Sequence, residues 1–307
     1  MARSRFAAFI VAVAVLAVGA WSFPGVQPLR ERVEYQFLFS PIPVEAEWLR
    51  HIASRESGIE EVRLATPDGV ILHGWLKRPA RLRPGGRYPL VIVYGGVRRD
   101  LSAFVRRARA PREWGWLLVN YRGFGLSEGV PTERAVIEDA KRIYDWAAAR
   151  PDVEASSIVV LGRSLGSYVA VAVAAARQAR AAILATPFDS FLALAEKRYP
   201  LLPLGWAVDG HFDSMALAPK VSAPALFVLA ELDDVTPVEH GRALAAAWGG
   251  RTQTVLLRGA SHYGIEGRDE FWRSVGDYLA AIRAPHATRA GSTAAPNRLS
   301  REPLRGS

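Results

Sequence analysis

The stretch VVLGRSLGSYVAVAVAAA, Val159 to Ala176, changes character at one serine. The residues before Gly162 are apolar, as at the end of a buried strand, and from Leu165 onward small apolar residues predict a helix. Ser164 stands at the junction, with a glycine at each second neighbour. A tight turn there forces strained backbone angles, and the glycines leave space for neighbouring backbone. The stretch therefore predicts a strand, a sharp turn and a helix.

That turn projects the Ser164 hydroxyl past the edge of the sheet. It also aims the free N–H groups of the helix N-terminus at any anion that forms beside the hydroxyl. The pattern therefore predicts a nucleophile. The alternative is an ordinary helix N-cap, which does not need glycine on both sides.

The flanking sequence alternates apolar strand-like runs with helical stretches. Buried apolar strands separated by helices imply a mostly parallel sheet covered on both faces, that is, an α/β fold. The predicted strands are Pro89–Tyr94, Trp114–Tyr121, Ser157–Leu161, Ala181–Ala185, Ala225–Ala230 and Thr254–Leu257. The predicted helices are Leu101–Ala110, Glu133–Ala149, Leu165–Ala179, Val238–Trp248 and Asp269–Ile282. Before them, EEVRLATPDGVILHGWLKRP alternates on both sides of Pro67-Asp68-Gly69 and predicts a hairpin of N-terminal strands.

The pattern Gly-x-Ser-x-Gly occurs a second time, around Ser127, so the pattern by itself does not identify the nucleophile. Ser127 lies in the glycine-rich stretch YRGFGLSEGVP, several residues before the next predicted helix. We therefore interpret it as a loop serine.

A serine hydroxyl needs a base within hydrogen-bond reach and an acid to orient that base. Among six histidines, His262 follows the last predicted strand, in a loop at the sheet edge where Ser164 also emerges. We predict that His262 is the base; the alternative is an exposed loop histidine. The acid is expected after the strand ALFVLA, where Asp233 is preferred and Asp234 is the alternative. Thr236 is predicted to cap the following helix, so that the aspartates are not needed as caps.

A developing oxyanion requires two N–H donors. Leu165, which follows the nucleophile, is predicted to supply one. The second is expected from the loop after PLVIVYGGV, with Gly96 preferred and Val97 as the alternative; a tight turn that merely uses glycine would explain the same residues.

Together these residues resemble the α/β-hydrolase superfamily over about residues 60–283. The similarity is to its bacterial serine-aminopeptidase-like or dienelactone-hydrolase-like branch, whose members have small caps. The stretches that carry it are NYRGFGLSEG, DAKRIYDW, LGRSLGSYVA, ATPFDS and APALFVLAELDDVTPVEHG. Two positions depart from the family pattern: Tyr94 precedes the oxyanion loop where histidine is usual, and Ala230 stands where glycine usually precedes the acid.

The resemblance implies a serine hydrolase that cleaves an ester, thioester or amide through an acyl-enzyme, without a cofactor. Its substrate would be a small-molecule or lipid acyl compound. The alternatives are a membrane-tethered, non-catalytic binding protein with this fold and a serine peptidase. No metal-ligand spacing or dinucleotide fingerprint stands in a suitable context, so neither metal nor cofactor is expected.

The segment at residues 189–221 is too long for a simple turn, and it is apolar, with Phe191 and Trp206 among its aromatic residues. We interpret it as a small helical cap over the site. The alternative is a pair of packing helices without substrate contact.

The cysteine content and net charge of the 307-residue chain bear on which kinds of chemistry and binding partner are possible. Cysteine is absent, which excludes disulfides and thiolate nucleophiles. The net charge is +9, with an arginine cluster between Arg98 and Arg112 and another in the last 25 residues. Such patches suit anionic lipid or nucleic acid, but without a nucleic-acid motif we interpret them as a solvated helix face and a basic tail.

The ends of the chain look different from its centre. Residues 6–23 are almost wholly apolar and follow Arg3 and Arg5, which predicts a membrane anchor within residues 1–29, with the rest of the chain outside the cytoplasm. A cleaved signal segment and a secreted protein are the alternative. We predict a connector at 30–58, the hydrolase domain at 59–283 and a disordered basic tail at 284–307.

Overall fold

The computed structural model describes Phe39 and residues 58–82, 85–97, 101–108, 111–198 and 212–283. The predicted anchor at 1–29, almost all of the connector, the tail at 284–307 and the middle of the cap segment lie outside the described residues. These assignments therefore stay predictions. Within the described part of the chain, no helix is both long and apolar enough to cross a membrane.

The described elements alternate between strands and helices after an initial hairpin. The strands are β1 (Ile59–Ala65), β2 (Ile71–Lys77), β3 (Tyr88–Tyr94), β4 (Gly115–Val119), β5 (Val153–Arg163), β6 (Ala181–Ala185), β7 (Ala225–Ala230) and β8 (Thr252–Leu257). The helices are α1 (Ser102–Arg107), α2 (Glu133–Ala148), α3 (Leu165–Ala176), α4 (Phe191–Arg198), α5 (Val238–Ala247) and α6 (Asp269–Arg283), with single 3₁₀ turns at Ala218–Lys220 and Ile265–Gly267.

The eight strands form one sheet in the order β1-β2-β4-β3-β5-β6-β7-β8. The first two pairings, β1 with β2 and β2 with β4, are antiparallel, and the other five are parallel. Both the predicted hairpin and the predicted fold class are thereby confirmed. The carboxyl ends of β3, β5, β6, β7 and β8 meet at one edge of this sheet, where loops can bring distant residues together.

Side chains along β5 show why the sheet is covered on both faces. Ile158 and Val160 belong to one apolar core, with residues of α2, α3 and α5, whereas Val159 and Leu161 belong to a second core with residues of α1 and α6. Successive strand residues point to opposite faces, so a strand that is apolar at every position must be buried on both.

The strand boundaries differ from the predictions where polar residues take part. β5 begins at Val153, four residues earlier than expected, and β8 begins at Thr252, two residues earlier. Among the added residues of β5, Ala155 and Ser156 are exposed, as are Thr252 and Gln253 at the start of the edge strand β8. An apolar run detects the buried part of a strand and misses such extensions.

Phe39 links the segment before the domain to the apolar core. Its side chain is fully buried, and its ring lies 6.4 Å from that of Phe124 and 6.2 Å from that of Phe212. The prediction of a connector did not anticipate this contact. At this residue the segment is part of the packed domain.

Candidate active site

Ser164 occupies a strained turn between β5 and α3. Its φ is 53° and its ψ is −122°, a region that non-glycine residues rarely adopt. The two neighbouring glycines are required by close approach of backbone. A β-carbon on Gly162 would lie 2.1 Å from the carbonyl oxygen of Gly166, and one on Gly166 would lie 2.0 Å from that of Tyr94. No larger residue fits at either position without moving α3.

The turn is held by hydrogen bonds on both sides of the serine. The Ser164 N–H donates to the carbonyl of Ala185 on β6 at 2.9 Å. Ser167 donates both its N–H, at 2.8 Å, and its hydroxyl, at 2.6 Å, to the Ser164 carbonyl. The Ser164 side chain itself caps no N–H group of α3. The N-cap alternative therefore does not describe its hydroxyl.

His262 lies in the loop after β8, beside this turn. Its Nε2 is 3.0 Å from the Ser164 Oγ, and its Nδ1 is 2.9 Å from Asp233 Oδ2. The histidine and aspartate side chains are 3% and 1% exposed, respectively, so water hardly competes for these hydrogen bonds. With a proton on Nδ1 donated to the carboxylate, Nε2 accepts the serine proton, which is the arrangement that a general base requires.

Asp233 is fixed by the loop between β7 and α5. Its Oδ1 accepts the N–H groups of Val235, at 3.0 Å, and Thr236, at 2.7 Å, and its Oδ2 accepts the Thr236 hydroxyl at 3.1 Å. Asp234 is exposed to solvent. Of the two aspartates considered, the structure thus brings Asp233 to His262.

Our prediction that Thr236 caps the next helix is wrong. Helix α5 begins at Val238 with Pro237 in the N-cap position, and no side chain caps it. The Thr236 hydroxyl oxygen instead lies 3.1 Å from the Thr186 carbonyl oxygen, a second acceptor within reach of its single proton, and 3.2 Å from the Nδ1 of His262. Burial of Thr236 beside the histidine directs its hydroxyl inward, so Thr236 is a residue of the site that the sequence did not reveal.

The loop after β3 lies against Ser164. A β-carbon built on Gly96 would lie 3.4 Å from the Ser164 Cβ, so this loop reaches the serine, as expected of an oxyanion loop. Tyr121 donates its hydroxyl to the Gly95 carbonyl at 2.9 Å, and burial raises the pKa of this phenol. A trans peptide unit carries its C=O and N–H in opposite directions, so the Gly96 N–H points away from Tyr121. The role of Tyr121 was not predicted, although it lies in the quoted stretch NYRGFGLSEG.

The two described ends of the cap segment, which we call its stem, lie near the start of α3. They contact Tyr168, which is one helical turn after Ser164. A short bridge pairs Ser190 with Asp213 where the segment leaves and returns. The Phe212 N–H donates to Glu133 at 2.9 Å, and the Phe212 ring packs on Tyr168 at a centroid distance of 5.3 Å. Burial raises the pKa of Tyr168. Tyr199 to His211, including Trp206, lie outside the described residues.

Ser127, from the second copy of the pattern, and His240, another of the six histidines, have different hydrogen-bond partners. Ser127 is buried, but its Oγ accepts the His73 N–H at 2.8 Å and donates to the Asn120 carbonyl at 3.1 Å, as a structural loop serine does. His240 lies at the start of α5, with its Nδ1 2.9 Å from Asp189. Among the described side chains, no three of His, Cys, Asp or Glu are grouped as metal ligands.

Comparison with known proteins agrees with this architecture. Residues 68–220 match the family model described as X-Pro dipeptidyl-peptidase (S15 family). An uncharacterised protein of Mycobacterium tuberculosis strain H37Rv is 31% identical over 262 residues, which cover 85% of this chain and 89% of that protein.

Solved structures add fold-level similarity. The crystal structure of an alpha-beta hydrolase from Vibrio vulnificus superposes with a TM-score of 0.64 at 19% identity, covering 85% of this chain and 95% of its own. An acetyl xylan esterase from Paenibacillus sp. R4 superposes with a TM-score of 0.58 at 19% identity, covering 81% and 98%. At these identities, the likeness concerns the fold.

Proposed function

This chain belongs to the α/β-hydrolase superfamily, and from that premise we propose that it is a serine hydrolase acting through an acyl-enzyme. One observation carries the proposal: the Ser164 Oγ, the His262 imidazole and the Asp233 carboxylate form a continuous buried hydrogen-bond chain, with links of 3.0 Å and 2.9 Å. A protein of this fold that only binds a ligand would not need this series of hydrogen bonds.

In the proposed acylation step, His262 Nε2 takes the Ser164 proton while the Oγ attacks the acyl carbonyl carbon. Asp233 holds the imidazole in the required tautomer and stabilises the imidazolium that forms. The carbonyl electron pair moves to oxygen, where the N–H groups of Leu165 and Gly96 are the proposed donors. Collapse of the tetrahedral intermediate breaks the bond to the leaving group, which takes the proton from His262.

Deacylation repeats these events with water. His262 removes a proton from a water molecule, and the resulting hydroxide attacks the acyl carbon. The intermediate then releases the carboxylic acid as the proton returns to Ser164. Every proton taken in either step is given back, and the proposed steps use only residues of this chain and water.

For the substrate, we propose a small-molecule or lipid acyl compound whose apolar part lies under the cap at residues 189–221. Support comes from the stem of the cap, where aromatic side chains pack beside the nucleophile helix: the rings of Phe191 and Tyr168 lie 6.4 Å and 5.3 Å from that of Phe212. An apolar, aromatic lining is typical of small-molecule sites.

A peptidase is the second candidate, and the match of residues 68–220 to the X-Pro dipeptidyl-peptidase family favours it. The same chemistry serves both activities, since only the leaving group differs. Comparing p-nitrophenyl esters with X-Pro p-nitroanilides separates them. We expect turnover of the esters, and faster turnover of the anilides would favour the peptidase.

We also propose that an N-terminal anchor within residues 1–29 holds the catalytic domain outside the cytoplasm, with secretion after signal cleavage as the alternative. Its support is the uncharged, apolar run at residues 6–23 behind two arginines. Protease treatment of spheroplasts tests the side of the membrane: the anchored domain should be digested, whereas protection until the spheroplasts are lysed would contradict the proposal.

Pre-steady-state hydrolysis of a p-nitrophenyl ester tests the acyl-enzyme. We expect a burst of p-nitrophenol equivalent to one per protein molecule, followed by slower turnover as water releases the acyl group. Ser164→Ala should abolish both phases. A folded wild-type chain that gives neither burst nor turnover with short- and long-chain esters would instead favour the non-catalytic binding protein.

A further inference from the structure

The residue immediately before the nucleophile, Arg163, makes contacts that the proposed chemistry does not use. It lies between Gly162 and Ser164, at a position that the pattern Gly-x-Ser-x-Gly leaves unspecified, and its side chain is only 12% exposed. Its guanidinium Nη2 donates to the carbonyl oxygen of His262 at 2.8 Å, across 99 residues of sequence. The neighbour of the proposed nucleophile thus holds the backbone of the proposed base.

A second contact joins the same guanidinium to the loop beyond His262. Arg163 Nε lies 2.7 Å from Glu266 Oε1, and the Glu266 side chain is 11% exposed. Glu266 belongs to the 3₁₀ turn Ile265–Gly267, just before α6. The pair is therefore largely excluded from water, where an ion pair is stronger than on the surface and where the loss of one partner leaves an uncompensated charge.

A third contact reaches the oxyanion loop. Arg163 Nη1 lies 3.2 Å from the position that a β-carbon on Gly96 would occupy, so the guanidinium packs against this glycine. One side chain thereby touches the three segments that must be aligned: the turn of Ser164, the loop of His262 and the loop of Gly96. A planar, forked guanidinium makes several directed contacts at once, which the single ammonium group of lysine does not.

We propose that Arg163 is a positioning residue, whose contacts with His262 and Glu266 set the distance between base and nucleophile. This inference rests on the proposed serine-hydrolase function. Arg163 touches neither reacting atom; it acts by holding the His262 loop against the end of β5. An error of about 1 Å in the placement of a catalytic group lowers a rate by about 100-fold, so such a contact has a measurable effect.

Steady-state kinetics on Arg163→Gln, Arg163→Lys, Glu266→Gln and the double variant Arg163→Gln/Glu266→Gln test the proposal. Arg163→Gln should lower kcat by about 10- to 100-fold with little change in KM. Arg163→Lys should recover part of the loss. The double variant should be no slower than Arg163→Gln, because the two residues act as one unit.

Arg177→Gln is the matched control at the opposite end of α3. Arg177 also forms an arginine–carboxylate pair, with its Nε 2.6 Å from Asp145 Oδ1, but this pair is far along the helix from Ser164 and more exposed. The control should keep wild-type kcat. If Arg163→Gln and Glu266→Gln also keep it while Ser164→Ala is inactive, the positioning role is wrong and the proposed function stands.

A measurement that needs no substrate tests the positioning role of Arg163 separately from the proposed hydrolase function. The proton between His262 Nδ1 and Asp233 should give a sharp, far-downfield NMR resonance that is absent in His262→Gln. Arg163→Gln and Glu266→Gln should broaden or shift it, and Arg177→Gln should not. If the wild-type protein hydrolyses nothing, this resonance alone decides the positioning role. An unchanged resonance in both variants overturns it.

Glu266→Gln removes the ion pair without altering the nucleophile turn, so it remains informative if Arg163→Gln does not fold.

Discussion

The chain carries the pattern Gly-x-Ser-x-Gly twice, and its two serines differ in the partners of their hydroxyl groups. Ser164 and Ser127 are both buried, at 8% and 7% exposure. The Ser164 hydroxyl is bonded to the His262 side chain, whereas the Ser127 hydroxyl joins two strands by binding the backbone of His73 and Asn120. Burial and flanking glycines therefore do not identify a nucleophile; the partner of the hydroxyl does.

The glycines of the two copies are needed for different physical reasons. Gly162 and Gly166 allow backbone segments to approach to distances that a β-carbon forbids. Gly125 and Gly129 have φ values of 57° and 81°, and their role is to provide a left-handed backbone. The first pair packs a helix onto a sheet and the second bends a loop, so substitutions should affect them differently.

The largest expected difference between the copies is in turnover. Ser164→Ala should lower kcat by about 10⁴-fold or more, because the nucleophile is lost and only binding and oxyanion stabilisation remain. Ser127→Ala should leave kcat within about threefold of wild type at temperatures where it is folded, because its hydroxyl contacts no group of the proposed site. Ester hydrolysis measures both. Equal losses in the two variants would contradict the distinction.

The next difference is in stability and concerns the glycines. Gly166→Ala should lower the free energy of unfolding by about 3 kcal/mol or more, because the new methyl group would lie 2.0 Å from a backbone oxygen that cannot turn aside. Gly129→Ala should cost about 1–2 kcal/mol, the penalty for a β-carbon in a left-handed conformation.

Gly276→Ala is the control for this pair in chemical denaturation. A β-carbon at Gly276 in α6 meets nothing within 4 Å, so alanine should stabilise the helix by up to about 1 kcal/mol. A Gly166→Ala variant as stable as wild type would show that α3 does not pack as described.

Ser127→Ala should have a smaller effect on stability than Gly166→Ala. It leaves the buried His73 N–H without its acceptor, which costs about 1–3 kcal/mol. Ser164→Ala should cost less than Ser127→Ala, since the lost hydrogen bond is to a side-chain nitrogen of His262 and no N–H group of α3 loses a cap. Urea titrations of both variants measure the difference. A Ser164→Ala variant less stable than Ser127→Ala would contradict this expected order.

A weaker effect is a pH dependence of stability due to the ion pair between Asp68, in the turn from β1 to β2, and Arg122, in the stretch that contains Ser127. A hydrogen bond from Arg122, followed by one from Thr66, lowers the pKa of Asp68 to about 2. The unfolded value is about 3.9, so the stability due to Asp68 is present above about pH 4 and is lost as the pH falls toward 2. The stability difference between wild type and Asp68→Asn should therefore shrink over this window. A difference that does not change with pH would contradict this role for the pair.

Much of this comparison could be predicted from the sequence, because strand, turn and helix signals are local. The apolar run before Gly162 and the helix after Ser164 predicted the turn, and the end of each parallel strand predicted which loops would meet. The same reasoning led to His262 and Asp233, although the helix cap assigned to Thr236 was wrong.

The remaining features depend on contacts between residues distant in sequence. Nothing local distinguishes Arg163 from a solvated arginine, since its partners lie about 100 residues away. Tyr121 could be a core residue as readily as a support for the Gly95 peptide, and the burial of Phe39 depends on a distant aromatic cluster. Such contacts follow from the three-dimensional arrangement of the segments and leave no periodic signal in the sequence.

Peptide mass spectrometry of the adduct with a fluorophosphonate probe shows which of the two serines is activated. The reagent phosphonylates an activated serine and expels fluoride, so the wild-type protein and Ser127→Ala should each gain one adduct, on the peptide that contains Ser164. Ser164→Ala should gain none. An adduct on Ser127, an adduct that persists in Ser164→Ala, or a folded wild-type protein that does not react would contradict the account.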